Sequence, residues 1–128
     1  MLWSPPITNW MKVNTDGALI KNPHMAAYGG IFRDCNNFCH GWFAENITTY
    51  SPFIGEITAS MKAIKIAAEM NWNNLWLETD SQLVLFAFKF HNMVPWYIGN
   101  RWINCLHTVT SMNFLVSHIY REGPVHML

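Results

Sequence analysis

Hydrophobic and polar residues alternate along the first part of the chain. From Met11 to Ala18, Met11, Val13 and Thr15 point one way and Lys12, Asn14 and Asp16 the other, the period of a half-buried strand. Asn22-Pro23 is a turn signal, and Ala26–Arg33 reads as a second strand. Asp34-Cys35-Asn36-Asn37 forms the next turn, and Phe38–Ala44 the third strand, so an antiparallel ladder is expected. Gly29-Gly30 inside the second strand signals either a bulge or close approach of another backbone.

The period then changes. Ser51-Pro52 is a helix start, with Ser able to cap and Pro suited to the first helical position. Ile57, Met61, Ile64 and Ala68 follow at spacings of four, three and four, predicting an amphipathic helix over 53–70, with Lys62, Lys65 and Glu69 off the stripe. Leu75–Thr79 is a short apolar strand. Asp80-Ser81 can cap a second helix, whose buried stripe is expected to be Leu83, Phe86, Ala87 and Phe90. Beyond Pro95, the residues Ile98, Trp102, Leu106 and Val109 suggest a third helix, and Phe114–Tyr120 a last strand. The predicted order, β-β-β-α-β-α-α-β, implies an α/β domain with a mixed sheet and helices packed on it. Residues 1–9, with Pro5 and Pro6, read as an irregular arm; residues 10–128 form one domain.

Composition narrows the class. Half of the 128 residues are hydrophobic (51%) and only 12% charged, against the pattern of a disordered chain. Eight basic and eight acidic residues cancel, so bulk charge gives no support to nucleic-acid binding and leaves only local patches to supply it. Three cysteines, Cys35, Cys39 and Cys105, make no even disulfide framework and read as thiols of an intracellular protein; sequence does not separate nucleus from cytoplasm. The N-terminus lacks a signal-peptide pattern. The greasiest run, Leu83–Phe88, is too short to span a bilayer.

Three acids occupy informative places: Asp16 near the end of the first strand, Glu56 in the first turn of the first helix, and Asp80 where the fourth strand gives way to a helix. Ligands gather outside strand ends in α/β sheets, and three carboxylates there would form a hard oxygen site suited to Mg²⁺. Taken by themselves, the same acids read more simply as two helix caps and an exposed strand residue.

Five sequence words decide between these readings. Asn14-Thr15-Asp16-Gly17-Ala18, Tyr28-Gly29-Gly30-Ile31-Phe32-Arg33-Asp34, Gly55-Glu56-Ile57-Thr58-Ala59, Leu77-Glu78-Thr79-Asp80-Ser81 and His118-Ile119-Tyr120-Arg121-Glu122-Gly123 occur in the right order and spacing. Together they resemble the plant-type ribonuclease H-like domain, the type also found beside reverse transcriptases. The resemblance implies the ribonuclease H-like fold, with a mixed five-stranded sheet. It implies hydrolysis of the RNA strand of an RNA–DNA hybrid, leaving a 3′-hydroxyl and a 5′-phosphate. Asp16, Glu56 and Asp80 would be the catalytic, metal-binding acids for Mg²⁺, with Mn²⁺ able to substitute. Asn14, Ser81, His118 and Arg121 would meet nucleic acid, Asn14 through a 2′-hydroxyl or sugar edge.

The match departs from the family near its end. The family's asparagine falls on Pro124 and its fourth acid on Leu128, and the following helix is missing from the sequence. One strong Mg²⁺ site rather than two is therefore expected, with weakened catalysis. His126 is a poor replacement, since imidazole suits a hard Mg²⁺ site badly. Two alternatives follow: a non-catalytic nucleic-acid-binding domain, and an interaction domain whose seven tryptophans and open apolar surface promote self-association.

Overall fold

The computed structural model describes residues 6–19, 25–48 and 51–119. The chain runs through strands β1 (Met11–Leu19), β2 (Met25–Arg33) and β3 (Cys39–Thr48), helix α1 (Pro52–Glu69), strand β4 (Asn74–Thr79) and helix α2 (Gln82–Lys89). Two 3-10 turns, His91–Met93 and Trp96–Ile98, lead into helix α3 (Gly99–Thr110) and strand β5 (Asn113–His118). The five strands form one open sheet in the order β3-β2-β1-β4-β5. β1, β2 and β3 are antiparallel neighbours, whereas β4 pairs parallel to both β1 and β5. This is the mixed sheet that the alternating pattern implied. The Asn22-Pro23 turn and residue Tyr120 of the expected last strand lie outside the described residues.

The inner face of the sheet carries the core. Val13, Phe32, Leu75 and Leu77 are fully covered there by α1, α2 and α3. Helix α1 is buried more widely than one stripe, because it lies between the sheet and both other helices. Its buried hydroxyls bond back along the helix: Thr58 donates to the Ile54 carbonyl (2.6 Å) and Ser60 to the Glu56 carbonyl (3.0 Å). Ser51 stands at the N-cap with extended backbone and Pro52 follows it, but the Ser51 side chain makes no cap bond. Its carbonyl instead accepts from the amides of Ile54 and Gly55.

One local expectation is settled between its two readings and another needs correction. Of the two readings of Gly29-Gly30, close approach is the right one, and the register shift falls at Phe32/Arg33 instead. A Cβ on Gly29 would sit 2.5 Å from the Phe43 carbonyl oxygen, and one on Gly30 2.6 Å from the Phe43 ring. The correction concerns α2. Its buried residues are Val84 and Ala87, with Phe88 packed against Trp102 and Phe114, while Leu83, Phe86 and Phe90 face outward. The segment Leu83–Phe88 is apolar all round, so its period cannot fix the phase. The Ser81 cap and the small side chains of Val84 and Ala87, which allow a close approach to β4 and α1, turn the helix by about one residue position, ~100°.

Candidate metal centre

Three elements converge on one end of the sheet. Asp16 lies on β1, in register with Gly29 of β2. Glu56 is the fifth residue of α1, at the start of its second turn rather than in the first as its sequence position suggested. Asp80 follows β4 directly and precedes the N-cap of α2. Carboxylate oxygens of the three lie within 4.8 Å of one another, Asp16 exposed and the other two half-buried. No other group of three His, Cys, Asp or Glu side chains clusters in this way among the described residues.

The donor set fits a hard divalent cation. Three carboxylates so close repel one another, and a cation between them offsets that cost. Glu56 Oε2 and Asp80 Oδ1 are atoms shut off from solvent, so bulk water does little to soften the repulsion. All three donors are oxygens, as Mg²⁺ prefers, and one such cluster suits one divalent ion rather than two. The tail carrying Arg121, His126 and Leu128 lies outside the described residues.

The strand end bearing Asp80 is pinned from several sides. The Thr79 hydroxyl accepts from the Ser81 amide (3.1 Å), and the Ser81 hydroxyl accepts from the Val84 amide (3.3 Å), capping α2. His118 on β5 donates from Nε2 to the Asp80 carbonyl (3.1 Å), and the Ile119 amide donates to the Thr79 carbonyl (2.8 Å). A carbonyl only accepts, so this bond places the His118 proton on Nε2. The structure therefore brings Ser81 and His118 close to the acids as parts of the frame that aims Asp80.

The outer face of the sheet holds what the sequence did not reveal. Lys12 is fully buried and pairs with Glu78 across the β1–β4 ladder at 3.1 Å, its ammonium 4.0 Å from the centre of the Trp76 ring. Asn14 donates from Nδ2 to the same carboxylate (2.8 Å). Burial pulls the Lys12 pKa below its ordinary value, and Glu78 opposes that shift. Glu78 is itself buried, so both members of the pair are withdrawn from water. The available signal was parity: Lys12, Asn14 and Asp16 share one phase on β1, and Glu78 shares the phase of Asp80 near β4.

Beside Asp16 the same face has a hollow of about 500 Å³, bordered by Asn14, Gly29, Ile31, Trp42 and Ala44. Trp42 stands at its rim, largely exposed. Lys62, off the buried stripe of α1, is engaged by β3. It pairs with Glu45 at 2.6 Å, and the Tyr28 hydroxyl donates to the other Glu45 oxygen (2.9 Å). Lys62 first, then Tyr28, hold the Glu45 carboxyl below its usual range, while burial and Glu45 push the Tyr28 phenol up to about 12.

Comparison with known proteins places this geometry in a group. A family described as reverse transcriptase-like matches residues 14–125. A putative ribonuclease H protein of Arabidopsis thaliana is 31% identical over 123 residues, 94% of this chain; the chain spans only 20% of that protein's length. Among solved structures, ribonuclease H1 of the archaeon Halobacterium salinarum superposes with a TM-score of 0.73 at 20% identity, covering 88% of this chain and 86% of that one. The protease–reverse transcriptase of prototype foamy virus gives 0.76 at 17% identity, covering all of this chain and 19% of the viral one.

Proposed function

The chain belongs to the reverse transcriptase-like family, and from that premise we propose that it is a Mg²⁺-dependent nuclease domain acting on the RNA strand of an RNA–DNA hybrid. The observation that carries the reading is the convergence of Asp16, Glu56 and Asp80 from β1, α1 and the end of β4. The H1 relatives share the fold, and one related ribonuclease H1 structure holds an RNA/DNA hybrid.

Each residue has a definable task. Asp16, Glu56 and Asp80 hold the cation; Asp16, the exposed member, faces incoming substrate, while the half-buried pair anchors the site from behind. Mg²⁺, when bound, adds Lewis-acid charge at the scissile phosphate and eases deprotonation of the attacking water. Asn14, two residues from Asp16 on the outer face, meets the ribose of the RNA strand, with its amide oriented by Glu78. Ser81 and His118 serve chiefly by fixing the Asp80 strand end, and Arg121 meets phosphate. The three cysteines are all thiols, which suits an intracellular setting. No helix among the described residues is long and apolar enough to cross a membrane.

The test is cleavage of an end-labelled RNA–DNA hybrid with Mg²⁺ by wild type and Asp16→Asn. The variant should lose roughly 10²–10³-fold in rate. Absence of metal-dependent cleavage, or equal cleavage by both proteins, would overturn the nuclease reading. The described cluster has three acids and so favours a second reading, binding without turnover. That reading expects salt-sensitive hybrid affinity and no product when Mg²⁺ is supplied.

A further inference from the structure

The outward turn of α2 leaves an apolar ridge unaccounted for. Leu83, Phe86 and Phe90 recur at spacings of three and four on its solvent side, and Met93, Trp96 and Tyr97 continue the series through the two 3-10 turns. Phe90 is 59% exposed and Trp96 89%; Trp96 and Tyr97 stand edge to face, ring centres 6.0 Å apart. None of these six side chains belongs to the metal centre.

We propose that this ridge is a self-association surface, which a second copy of the chain covers by antiparallel packing of the two α2 helices. Three observations choose that occupant. First, charge argues against nucleic acid: from Gln82 to Gly99, Lys89 is the single Asp, Glu, Lys or Arg residue. A phosphate backbone needs several cations to hold it. Lys89 also lies off the ridge by helical phase, at a rim position where its ammonium stays in water. Second, the size is suitable. Phe86, Phe90, Trp96 and Tyr97 alone leave about 500 Å² of ring surface open, taking ~200 Å² per aromatic side chain. Leu83 and Met93 add to this, which puts the ridge at the upper end of the ~300–600 Å² of a monomer's largest apolar patch and near the ~800 Å² per partner of a stable interface. Third, a stripe at spacings of three and four complements its own copy when two helices run antiparallel, the condition for a two-fold interface that closes at two chains. The formal net charge of zero means that no overall repulsion opposes pairing.

Sedimentation velocity over a hundredfold concentration range tests this. Wild type should move from a 14.9 kDa monomer to a species of twice that mass, with nothing larger. Trp96→Glu and Phe90→Glu should each weaken the dimer at least about tenfold. Trp42→Glu, on the outer face of the sheet, should leave it intact. Near-ultraviolet circular dichroism checks that each variant is folded; if a glutamate variant is not, Trp96→Ala carries the test. A wild type that stays monomeric overturns the proposal. So does open-ended aggregation, or a dimer broken by Trp42→Glu and not by the ridge variants.

Discussion

The two faces of the sheet are built by different physics. On the inner face, Val13, Phe32, Leu75 and Leu77 are apolar and fully covered by helices, and packing does the work. On the outer face, Lys12, Asn14 and Glu78 form a charged, hydrogen-bonded group next to Asp16, and beyond it Ile31, Trp42 and Leu115 are open to solvent. One face holds the strands together. The other ties β1 to β4, whose ends carry Asp16 and Asp80, through polar bonds. A single strand contributes to both, because successive side chains point to opposite sides. The comparison shows why burial alone does not separate scaffold from site: Lys12 is as fully buried as Val13.

The sharpest way to break that comparison is at Glu78. Replacing it by alanine strands Lys12 as a buried charge without its partner, which should cost about 3–5 kcal/mol in chemical unfolding. Lys12→Met combined with Glu78→Gln removes both charges at similar volume and should return most of the loss. The lowered Lys12 pKa gives a pH signature as well. Its folded value lies below its unfolded 10.5, so the unfolded chain binds more protons between the two values. The wild type's stability should therefore gain from this group as pH rises through that window, and the double variant should lack the gain. If the double variant is as unstable as Glu78→Ala, the outer group works by shape rather than charge.

The inner face should respond differently. Leu77→Ala leaves a cavity between β4 and the helices and should cost about 2–5 kcal/mol, with no change in pH dependence. A second-site charge change should not rescue it. Denaturant midpoints measured on both sides of neutrality would separate this apolar loss from the electrostatic one at Glu78.

How legible these faces were in the sequence follows the same division. Alternation over Met11–Ala18 and the four-three-four stripe of α1 exposed the inner face, since burial against one layer imposes a period. The acids of the metal centre were legible through their sequence words, and the structure brings Asp16, Glu56 and Asp80 together. The Lys12–Glu78 pair was not, because 66 positions of chain separate two residues that meet only once β1 and β4 are in register. The phase of α2 was not, because a helix apolar on every side has no period to read. Arg121 and the acid position at 128 lie outside the described residues.

A smaller effect is expected where the inner face meets solvent. Glu45 on β3 is held below its ordinary value of 4.5 first by Lys62 on α1 and then by Tyr28. The contribution is present above the unfolded value and is lost as pH falls through the folded one. Both partners are more than a third exposed, so the pair is worth only about 0.2–1 kcal/mol. Lys62→Met should remove that increment near neutral pH and leave stability almost unchanged once pH has fallen below the folded value, and its difference from wild type should shrink as salt is added.

The smallest stability effect should come from the open part of the outer face, at Trp42. Its ring is 73% exposed on a strand that has another strand on one side only, so truncation removes little that folding had covered. Trp42→Ala should shift unfolding by no more than about 0.5 kcal/mol, despite the size of the side chain. The same ring borders the hollow that begins at Asp16. A nucleotide held at the metal centre would bring its neighbour to that hollow, where an indole offers a stacking surface worth ~1–3 kcal/mol per base. Hybrid affinity, measured with Ca²⁺ to prevent turnover, should then fall about fivefold or more in Trp42→Ala and recover in Trp42→Phe. A large loss of stability would move Trp42 to the side of the scaffold. Unchanged affinity with unchanged stability would leave the open outer face without a part in substrate binding.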